Sequence, residues 1–410
     1  MYLWRFLRKR PLSLIVSLQA YLILIYSYCE IHEVILRTSI SNEKVLKLTP
    51  KLIRWIALGQ LNGKLFYNST ISSECSSRRL MKGGGYKRKY PREYKFGGRE
   101  LFNYPLHVDV VRQVCRFKQG KSVAKGSYKN RDFPLLIGAE GVCPENVSEV
   151  VDILILIKSS VDHTAERRAI RHSWGNQHCW PGRKIRLVFV VAFTYKSNQM
   201  DWITRESQKY GDIIQQQFTE NCHNNTHKFL FGLRWGLAFC PGARWYLFVD
   251  DDFFINPLSV LRFLDEINPH LRSRVVAGSV IQKSVVVRAE HKWGIDASKY
   301  TYDRYPLYVA GGLVLVSFDM ALQLYIGSRF TSFLPFDDVL VSMIMNKLLI
   351  KPLLVPNIFL YLPKLRRFRV FRSLMALHGK LDWKQKSWIW KSLKLNRQCN
   401  LRWRRAIESS

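Results

Sequence analysis

Three consecutive aspartates, Asp250, Asp251 and Asp252, interrupt a strongly apolar stretch of the chain, formed by residues 245–249 and 253–255. Adjacent carboxylates repel one another, and their burial without a cation is costly. A hard divalent cation relieves this cost, because it takes carboxylate oxygens as ligands and leaves coordination sites for substrate phosphates. On a strand, Asp250 and Asp252 would share one face. The segment predicts a metal site; the alternatives are a solvated acidic turn, or the metal site of a phosphatase or nuclease.

A second acidic pair, Asp337 and Asp338, also lies in an apolar setting, between Phe336 and Val339. One of these carboxylates could act as a general base that takes a proton from an attacking hydroxyl. The alternative is a helix N-terminus, where acidic residues stabilise the helix dipole, and for the pair alone this alternative is favoured. His378 is a further candidate metal ligand or base, although a lone histidine is more often structural.

The elements that must position these residues alternate between strands and helices. Continuous apolar runs, typical of strands buried on both faces, occupy residues 152–157, 185–191 and 244–249. Helical patterns occupy residues 164–174, with Thr164 as N-cap, and residues 228–238. This alternation predicts an α/β fold with a parallel sheet, whose ligands bind beyond the carboxyl ends of the strands.

Composition narrows the class of protein. The chain has 410 residues, of which 47% are hydrophobic, so it can bury a large core and is not disordered by composition. The formal net charge of +33 favours anionic partners such as nucleotide diphosphates, phospholipid headgroups, acidic glycans or nucleic acid. Charge alone does not choose among these partners.

The N-terminal segment predicts a compartment. Four basic residues between Arg5 and Arg10 precede an uncharged, mostly apolar stretch at residues 11–29. This stretch is just long enough to cross a bilayer, and its positive flank should stay cytosolic. We therefore expect a single-pass type II Golgi membrane protein with a lumenal catalytic domain; a cleaved signal peptide is the alternative. The predicted segments are a cytosolic tail (1–10), an anchor (11–29), a stem (30–142), a catalytic domain (143–400) and a basic tail (401–410).

The N-glycosylation sequons and the cysteines are consistent with a location in the lumen. Asn68, Asn146 and Asn224 begin N-x-Ser/Thr tripeptides, which predict N-glycosylation. The chain has eight cysteines without a C-x-x-C pair, so disulfides are more plausible than zinc or redox chemistry. Their spacing leaves the connectivity open.

Six motifs in order resemble the β-1,3-glycosyltransferase family, which includes β-1,3-galactosyltransferases and β-1,3-N-acetylglucosaminyltransferases. The motifs are R-R-A-I-R-H-S-W-G at 167–175, Y-G-D-I-I with N-T-H-K at 210–228, D-D-D at 250–252, K-W at 292–293, Y-P-L-Y-V-A-G-G at 305–312 and F-D-D-V at 336–339. The family pattern has Thr at Ser173 and Glu at Asp337. The resemblance covers residues 152–378.

The resemblance implies a GT-A-type, Rossmann-like nucleotide-sugar glycosyltransferase domain, Mn²⁺ or another divalent cation, a UDP-sugar donor and an inverting single displacement. It implies that Asp338 is the catalytic base. The implied metal ligands are Asp252, Asp250 and His378. The implied donor-binding residues are Arg167, Arg171, Asp250 and Asp251, although helix packing and ion pairing are the alternative role of the two arginines. The implied cleft residues are Trp293, Tyr308, Gly311, Gly312 and Asp337.

The chain also departs from the family pattern. Val309 stands where a cysteine is usual, which leaves Cys240 without its family partner, and Leu313 and Val314 replace residues that often include Gly and Tyr. These departures bear on the identity of the sugar. They also motivate an alternative function, a catalytically inactive, glycan-binding member of the family.

Together the sequence predicts transfer of a hexose or N-acetylhexosamine from a UDP-sugar to a hydroxyl of a glycan acceptor, on a glycoprotein, glycolipid or proteoglycan, with a β-1,3 linkage. The membrane would be a partner through one helix, and homo-oligomerisation is left open. Nucleic acid is excluded as a partner because the predicted anchor and sequons place the chain in the lumen.

Overall fold

The structure is a computed structural model, and it describes residues 110–119, 121, 123–124, 133–144, 150–348, 350–361, 374–379, 383–393, 395 and 399. The predicted anchor, most of the predicted stem, Asn68 and Asn146 lie outside these residues. Within the described part of the chain, no helix combines the length and apolar character needed to span a bilayer.

The described residues include eleven strands and eight α-helices. The strands are β1 (Leu135–Ile137), β2 (Val151–Lys158), β3 (Ile185–Phe193), β4 (Ile213–Thr219), β5 (Ala243–Asp250), β6 (Phe253–Ile255), β7 (Val276–Ile281), β8 (Tyr308–Ser317), β9 (Leu353–Leu354), β10 (Ile358–Phe359) and β11 (Ala376–His378). The helices are α1 (Val110–Lys118), α2 (Thr164–Arg171), α3 (Ser197–Tyr210), α4 (Asn225–Phe239), α5 (Pro257–Glu266), α6 (Phe318–Ser328), α7 (Asp337–Lys347) and α8 (Trp383–Ser392).

An eight-stranded mixed sheet, in the order β1-β4-β3-β2-β5-β8-β7-β9, forms the centre of the fold. The inner strands β4, β3, β2 and β5 are parallel, whereas β8 is antiparallel to β5 and β7. From β2 the chain proceeds to β3 and β4 on one side and then places β5 on the other. The strand order therefore reverses between β2 and β5, which is where open α/β sheets bind ligands.

The predicted α/β class and the three predicted strands are confirmed, and each strand is two residues longer than predicted. The central stretches of β2, β3 and β5 are apolar, as expected of parallel strands that are covered on both faces. Residues 153–157 of β2 are fully buried, as are most of the side chains of α4. A second sheet has three strands in the order β10-β11-β6, and its strand β6 directly follows β5 in the chain.

Two details of the helices differ from the sequence prediction. Thr164 is the first helical residue and not the N-cap, which is His163. The Thr164 hydroxyl accepts a hydrogen bond from Arg167 at 3.1 Å and is not used as a cap. Helix α4 begins at Asn225, three residues before the predicted start, because its first turn already packs on the core: Thr226 is fully buried.

The folded unit begins before the predicted boundary at residue 143. Helix α1 buries Val110, Val114 and Phe117 and packs against α6. Strand β1 extends the main sheet by pairing with β4. The predicted stem therefore includes residues that are integral to the sheet and its helical layer.

Two disulfides whose cysteines both lie among the described residues join distant parts of the chain. Cys143 pairs with Cys240, so Cys240 has a partner although Val309 replaces the cysteine of the family pattern. Cys179 pairs with Cys399, which ties the C-terminal segment to the loop between α2 and β3.

Candidate active site

The aspartate cluster lies at the reversal point of the sheet. Asp250 is the last residue of β5, and Asp251 and Asp252 form the turn into β6. In the parallel register, Asp250 lies beside Lys158, the last residue of β2. Both residues are therefore at the carboxyl ends of adjacent parallel strands, the edge at which the sequence predicts ligand binding.

Lys158 is a buried cation that joins the two acidic pairs. Its ammonium lies 2.9 Å from Asp250 Oδ1 and 2.7 Å from Asp337 Oδ2, and it donates a hydrogen bond to the Gly311 carbonyl at 2.9 Å. Burial alone would lower the pKa of Lys158, but the carboxylates of Asp250 and Asp337 outweigh burial and hold this pKa above its usual value. The lysine therefore stays charged and neutralises carboxylates that would otherwise repel each other.

The three aspartates have different surroundings. Burial raises the pKa of Asp250 to about 6, against the opposing effect of Lys158. Asp251 is buried, and its Oδ2 lies 2.9 Å from His163 Nδ1. The side chain of Asp252 is 45% exposed, compared with 31% for Asp250 and 7% for Asp251. Ligands from solution can therefore reach Asp252 more easily than its two neighbours.

His378 faces Asp252, as the metal prediction requires. Strand β11 pairs with β6 so that His378 lies opposite Phe253, and His378 Nε2 is 3.1 Å from Asp252 Oδ2. His378 Nδ1 donates to the Leu360 carbonyl at 2.8 Å, the arrangement that orients a ligating imidazole through its other nitrogen. The hydrogen bond to Asp252 raises the pKa of His378 to about 9.

This donor set fits a divalent cation that is shared with a substrate. Among the described residues, no group of three or more His, Cys, Asp or Glu side chains is arranged to hold a metal by itself. Asp252 and His378 supply one carboxylate and one imidazole, which suit Mn²⁺, and diphosphate oxygens would complete the coordination.

Asp337 and Asp338 begin helix α7, as the helix N-terminus interpretation predicts. The backbone N–H of Val339 donates to Asp338 Oδ1 at 2.8 Å, and the N–H of Gly311 also donates to this carboxylate. Burial and the neighbouring charge of Asp337 nevertheless raise the pKa of Asp338 to about 7. A carboxyl group with this pKa can accept a proton near neutral pH.

Gly311 and Gly312 in β8 allow the close approach of protein groups. A Cβ on Gly311 would lie 2.7 Å from Asp337 Oδ1, and one on Gly312 would lie 2.4 Å from the Phe253 ring. Each position therefore requires glycine, because a side chain would displace Asp337 or Phe253. The predicted role of close backbone approach to a ligand stays a prediction.

An aromatic wall lies next to the acidic helix. The Trp293 ring is 52% exposed and stands edge-on to Phe336, the residue before Asp337, at 5.8 Å between ring centroids. Tyr308 is partly buried at the start of β8 and donates to Ser284 at 3.3 Å. Burial and the nearby charge of Asp338 both raise the pKa of Tyr308. These rings could pack against a sugar next to Asp338.

Comparisons with known proteins agree with this geometry. The family model described as galactosyltransferase matches residues 165–355. β-1,3-Galactosyltransferase 5 of Pan paniscus is 30% identical over 229 residues, which are 55% of this chain and 75% of that protein. This chain belongs to the galactosyltransferase family.

Two further relatives are similar to this chain over smaller shares of their own length. β-1,3-Galactosyltransferase brn of Drosophila melanogaster is 34% identical over 202 residues, 49% of this chain and 62% of that protein. N-acetyllactosaminide β-1,3-N-acetylglucosaminyltransferase 4 of Homo sapiens is 33% identical over 225 residues, 54% of this chain and 58% of that protein. The predicted hexosyltransferase class is therefore confirmed at the level of the family.

Arg167 and Arg171 of this galactosyltransferase-family chain form ion pairs below the candidate site. Arg167 is fully buried and binds Glu206 through Nε and Nη2 at 2.9 and 2.7 Å, and it also donates to Ser159 and to the Ser160 carbonyl in the loop after β2. Arg171 binds Glu206 and Asp212. Arg167 positions this loop and Arg171 pairs with the same glutamate, as the ion-pairing alternative predicts. The contact of either arginine with a donor stays a prediction.

The Asn224 sequon is folded into the start of α4. The Asn224 amide donates to the Thr219 carbonyl at 2.8 Å, and the Thr226 hydroxyl is buried and donates to the Leu334 carbonyl at 2.7 Å. The glycosylation of Asn224 stays a prediction.

Sequence reasoning missed Lys158 and His163, and both lie before the matched segment. The signal for Lys158 was a single lysine directly after the apolar run 153–157, since burial of a lysine requires a partner. No local pattern marks His163, whose partner Asp251 is 88 residues away. A cavity of about 480 Å³ lies at the opposite end of strands β2 and β5, near Asp152, Trp245 and Ser317, and is not lined by Asp250, Asp251 or Asp252.

Proposed function

We propose that this chain transfers a hexose or N-acetylhexosamine from a UDP-sugar to a hydroxyl of a glycan acceptor, with inversion and a β-1,3 linkage. The observation that supports this most directly is the Lys158 junction. It holds Asp250 at the end of β5 and Asp337 at the start of α7 within 2.9 Å of one ammonium group. Groups suited to a sugar nucleotide and a carboxyl group suited to a hydroxyl therefore lie in one site.

In this proposal Asp338 takes the proton of the acceptor hydroxyl as its oxygen attacks the anomeric carbon. The bond from that carbon to the diphosphate oxygen breaks in the same step, and the configuration inverts because attack and departure are on opposite faces. The raised pKa of Asp338, about 7, lets the carboxylate accept this proton at neutral pH. Trp293 and Tyr308 would orient the acceptor.

Asp252 and His378 would hold the divalent cation, which neutralises charge on the departing diphosphate when bound. Asp250 would support this site from its contact with Lys158. Asp251, which is bound to His163, would act through the turn that carries Asp252.

The proposed location is the Golgi lumen, with residues 11–29 as membrane anchor. The disulfides Cys143–Cys240 and Cys179–Cys399 support an oxidising compartment. Mn²⁺, a UDP-sugar and an acceptor carried by a glycoprotein, glycolipid or proteoglycan are the proposed partners.

The alternative of an inactive, glycan-binding protein has less support. It was motivated by Leu313 and Val314, but these residues pair with Val249 and Phe248 inside the sheet and are at most 3% exposed. Substitutions there change the core and leave the groups of the candidate site in place.

The test is UDP release by the full chain with Mn²⁺, a panel of UDP-sugars and glycan acceptors. We expect turnover with at least one donor, and we expect Asp338→Asn to lower kcat by about 100-fold or more because the proton acceptor is lost. Asp201→Asn, which removes an exposed carboxylate on α3, is the matched control and should leave kcat unchanged. Absence of turnover with every donor, or full activity of Asp338→Asn, would refute the proposal.

A further inference from the structure

Lys158 uses all the hydrogen-bonding capacity of its side chain inside the protein. A lysine ammonium has three N–H donors. Asp250 Oδ1, Asp337 Oδ2 and the Gly311 carbonyl are within 2.7–2.9 Å of it, and its side chain is 3% exposed. The ammonium therefore has no donor left for a substrate, and its role must be exerted through these three partners.

The lysine and its partners belong to four elements that meet at the site. Lys158 ends β2, Asp250 ends β5, Gly311 lies in β8, and Asp337 is the first residue of α7. Among these elements, β5 and β8 are joined by the sheet, whereas α7 follows a loop. The contact between Lys158 and Asp337 therefore fixes the start of α7 against the edge of the sheet.

Two of the three partners also determine where the carboxyl group of Asp338 lies. Asp337 precedes Asp338, and Asp337 Oδ1 accepts a hydrogen bond from the Asp338 backbone N–H at 3.0 Å. The N–H of Gly311 binds the Asp338 carboxylate, while the carbonyl of Gly311 accepts from Lys158. A displacement of the ammonium would be passed to Asp338 through both partners.

We propose that Lys158 is a positioning residue that holds the base Asp338 in register with the donor-side aspartates, without itself touching donor or acceptor. This inference rests on the proposed function. Loss of the ammonium would leave Asp250 and Asp337 without their shared cation, and α7 would move away from β5. A displacement of about 1 Å at a reacting group can lower a rate by about 100-fold.

The experiment compares Lys158→Met with Lys158→Met/Asp337→Asn. The first variant removes the cation and keeps the length of the side chain. The second also removes one carboxylate, so that the net charge of the cluster returns to that of the wild type. Because buried charge is then balanced, we expect the double variant to recover most of any loss in melting temperature.

The decisive quantity is kcat per functional binding site, with sites counted by calorimetric titration of UDP in the presence of Mn²⁺. We expect both variants to bind UDP, with kcat per site lowered by about 100-fold and the donor KM within about threefold of wild type. Val188→Ala, a cavity variant in β3 whose residue is fully buried away from the cluster, should lower the melting temperature without lowering kcat per site.

A merely structural lysine predicts a different result. The proposal is overturned if kcat per UDP site stays within about threefold of wild type in either variant, since Lys158 would then serve stability alone. It is also overturned if neither variant binds UDP, since Lys158 would then be needed for the donor site itself. A wild-type chain that releases no UDP with any donor refutes the proposed function instead, so the two failures are distinguishable.

Discussion

At the scale of single residues, the environment separates carboxyl groups that look equivalent in the sequence. Asp337 and Asp338 are adjacent, yet Asp337 binds the Lys158 ammonium, whereas Asp338 accepts hydrogen bonds from the backbone N–H groups of Val339 and Gly311. Pairs of acids in unequal surroundings are how a protein assigns one of them to proton transfer. The geometry thus favours Asp338 over Asp337 as the base.

The pH dependence of transfer follows from the pKa of Asp338. Burial and Asp337 raise this pKa to about 7, so the carboxyl group is protonated below that pH and cannot accept a proton. We expect kcat/KM to rise with pH and to level off above about pH 8, with a slope of about one log unit per pH unit on the acidic side. Initial rates measured across the range from acidic to mildly alkaline buffer give this profile. A flat profile through neutral pH would contradict the assignment, and residual activity of Asp338→Asn should lack the acidic limb.

A second residue-scale prediction concerns the buried pair of Arg167 and Glu206. Burial would raise the pKa of Glu206, but hydrogen bonds from Arg167 and Arg171 lower it below its usual value. Glu206→Gln leaves Arg167 buried without a full counter-charge, and we expect a loss of about 3–5 kcal/mol in the free energy of unfolding. Urea denaturation measures this loss.

The control for that variant is Asp265→Asn, which breaks the exposed Arg183–Asp265 pair. The side chains of Arg183 and Asp265 are 34% and 59% exposed, so we expect the free energy of unfolding to change by less than about 1 kcal/mol. Equal effects of the two substitutions would show that the Arg167 network does not stabilise the loop after β2.

At the scale of elements, the structure shows why part of the site could be predicted and part could not. The continuous apolar runs of β2, β3 and β5 reveal buried parallel strands, and that alone places Asp250 at a ligand-binding edge. The contact between Asp252 and His378 depends on β11 pairing with β6, across 126 residues. The two short strands carry no periodic signal strong enough to reveal that pairing. The sequence by itself offered His378 only as a lone candidate histidine, and the family resemblance indicated its place near the metal.

Strand β8 provides an element-scale prediction. Gly311→Ala would place a Cβ 2.7 Å from Asp337 Oδ1, so Asp337 must move away from Lys158 or β8 must shift. We expect a lower melting temperature and a loss of transfer of about tenfold or more. Gly141→Ala is the matched control, because nothing lies within 4 Å of its added Cβ and its φ is not in the left-handed region. If Gly311→Ala behaves like Gly141→Ala, the close packing of β8 against α7 is not needed for activity.

At the scale of the whole molecule, covalent links join segments that the sequence order keeps far apart. The aspartate cluster and β5 follow α4, whose C-terminal end carries Cys240, and the disulfide to Cys143 fixes this end to the segment before β2. The family pattern left Cys240 without its usual partner at position 309, because a motif comparison can remove a partner but cannot supply a new one. The pairing arises from the fold, which brings residues 97 positions apart to a Cα–Cα distance of 5.4 Å.

The Cys143–Cys240 disulfide should raise the free energy of unfolding. A cross-link that closes a loop of 97 residues restricts the unfolded chain, and the chain-entropy account gives about 4–5 kcal/mol of stabilisation for a loop of that length. We therefore expect Cys143→Ala/Cys240→Ala to unfold at a clearly lower temperature than the wild type under non-reducing conditions. When the variant and the wild type are both treated with reductant, their melting temperatures should become similar. Proteolysis without reduction, followed by mass spectrometry, should give a linked peptide that contains Cys143 and Cys240. Recovery of both cysteines as free thiols, or equal melting temperatures of variant and wild type without reductant, would contradict the pairing.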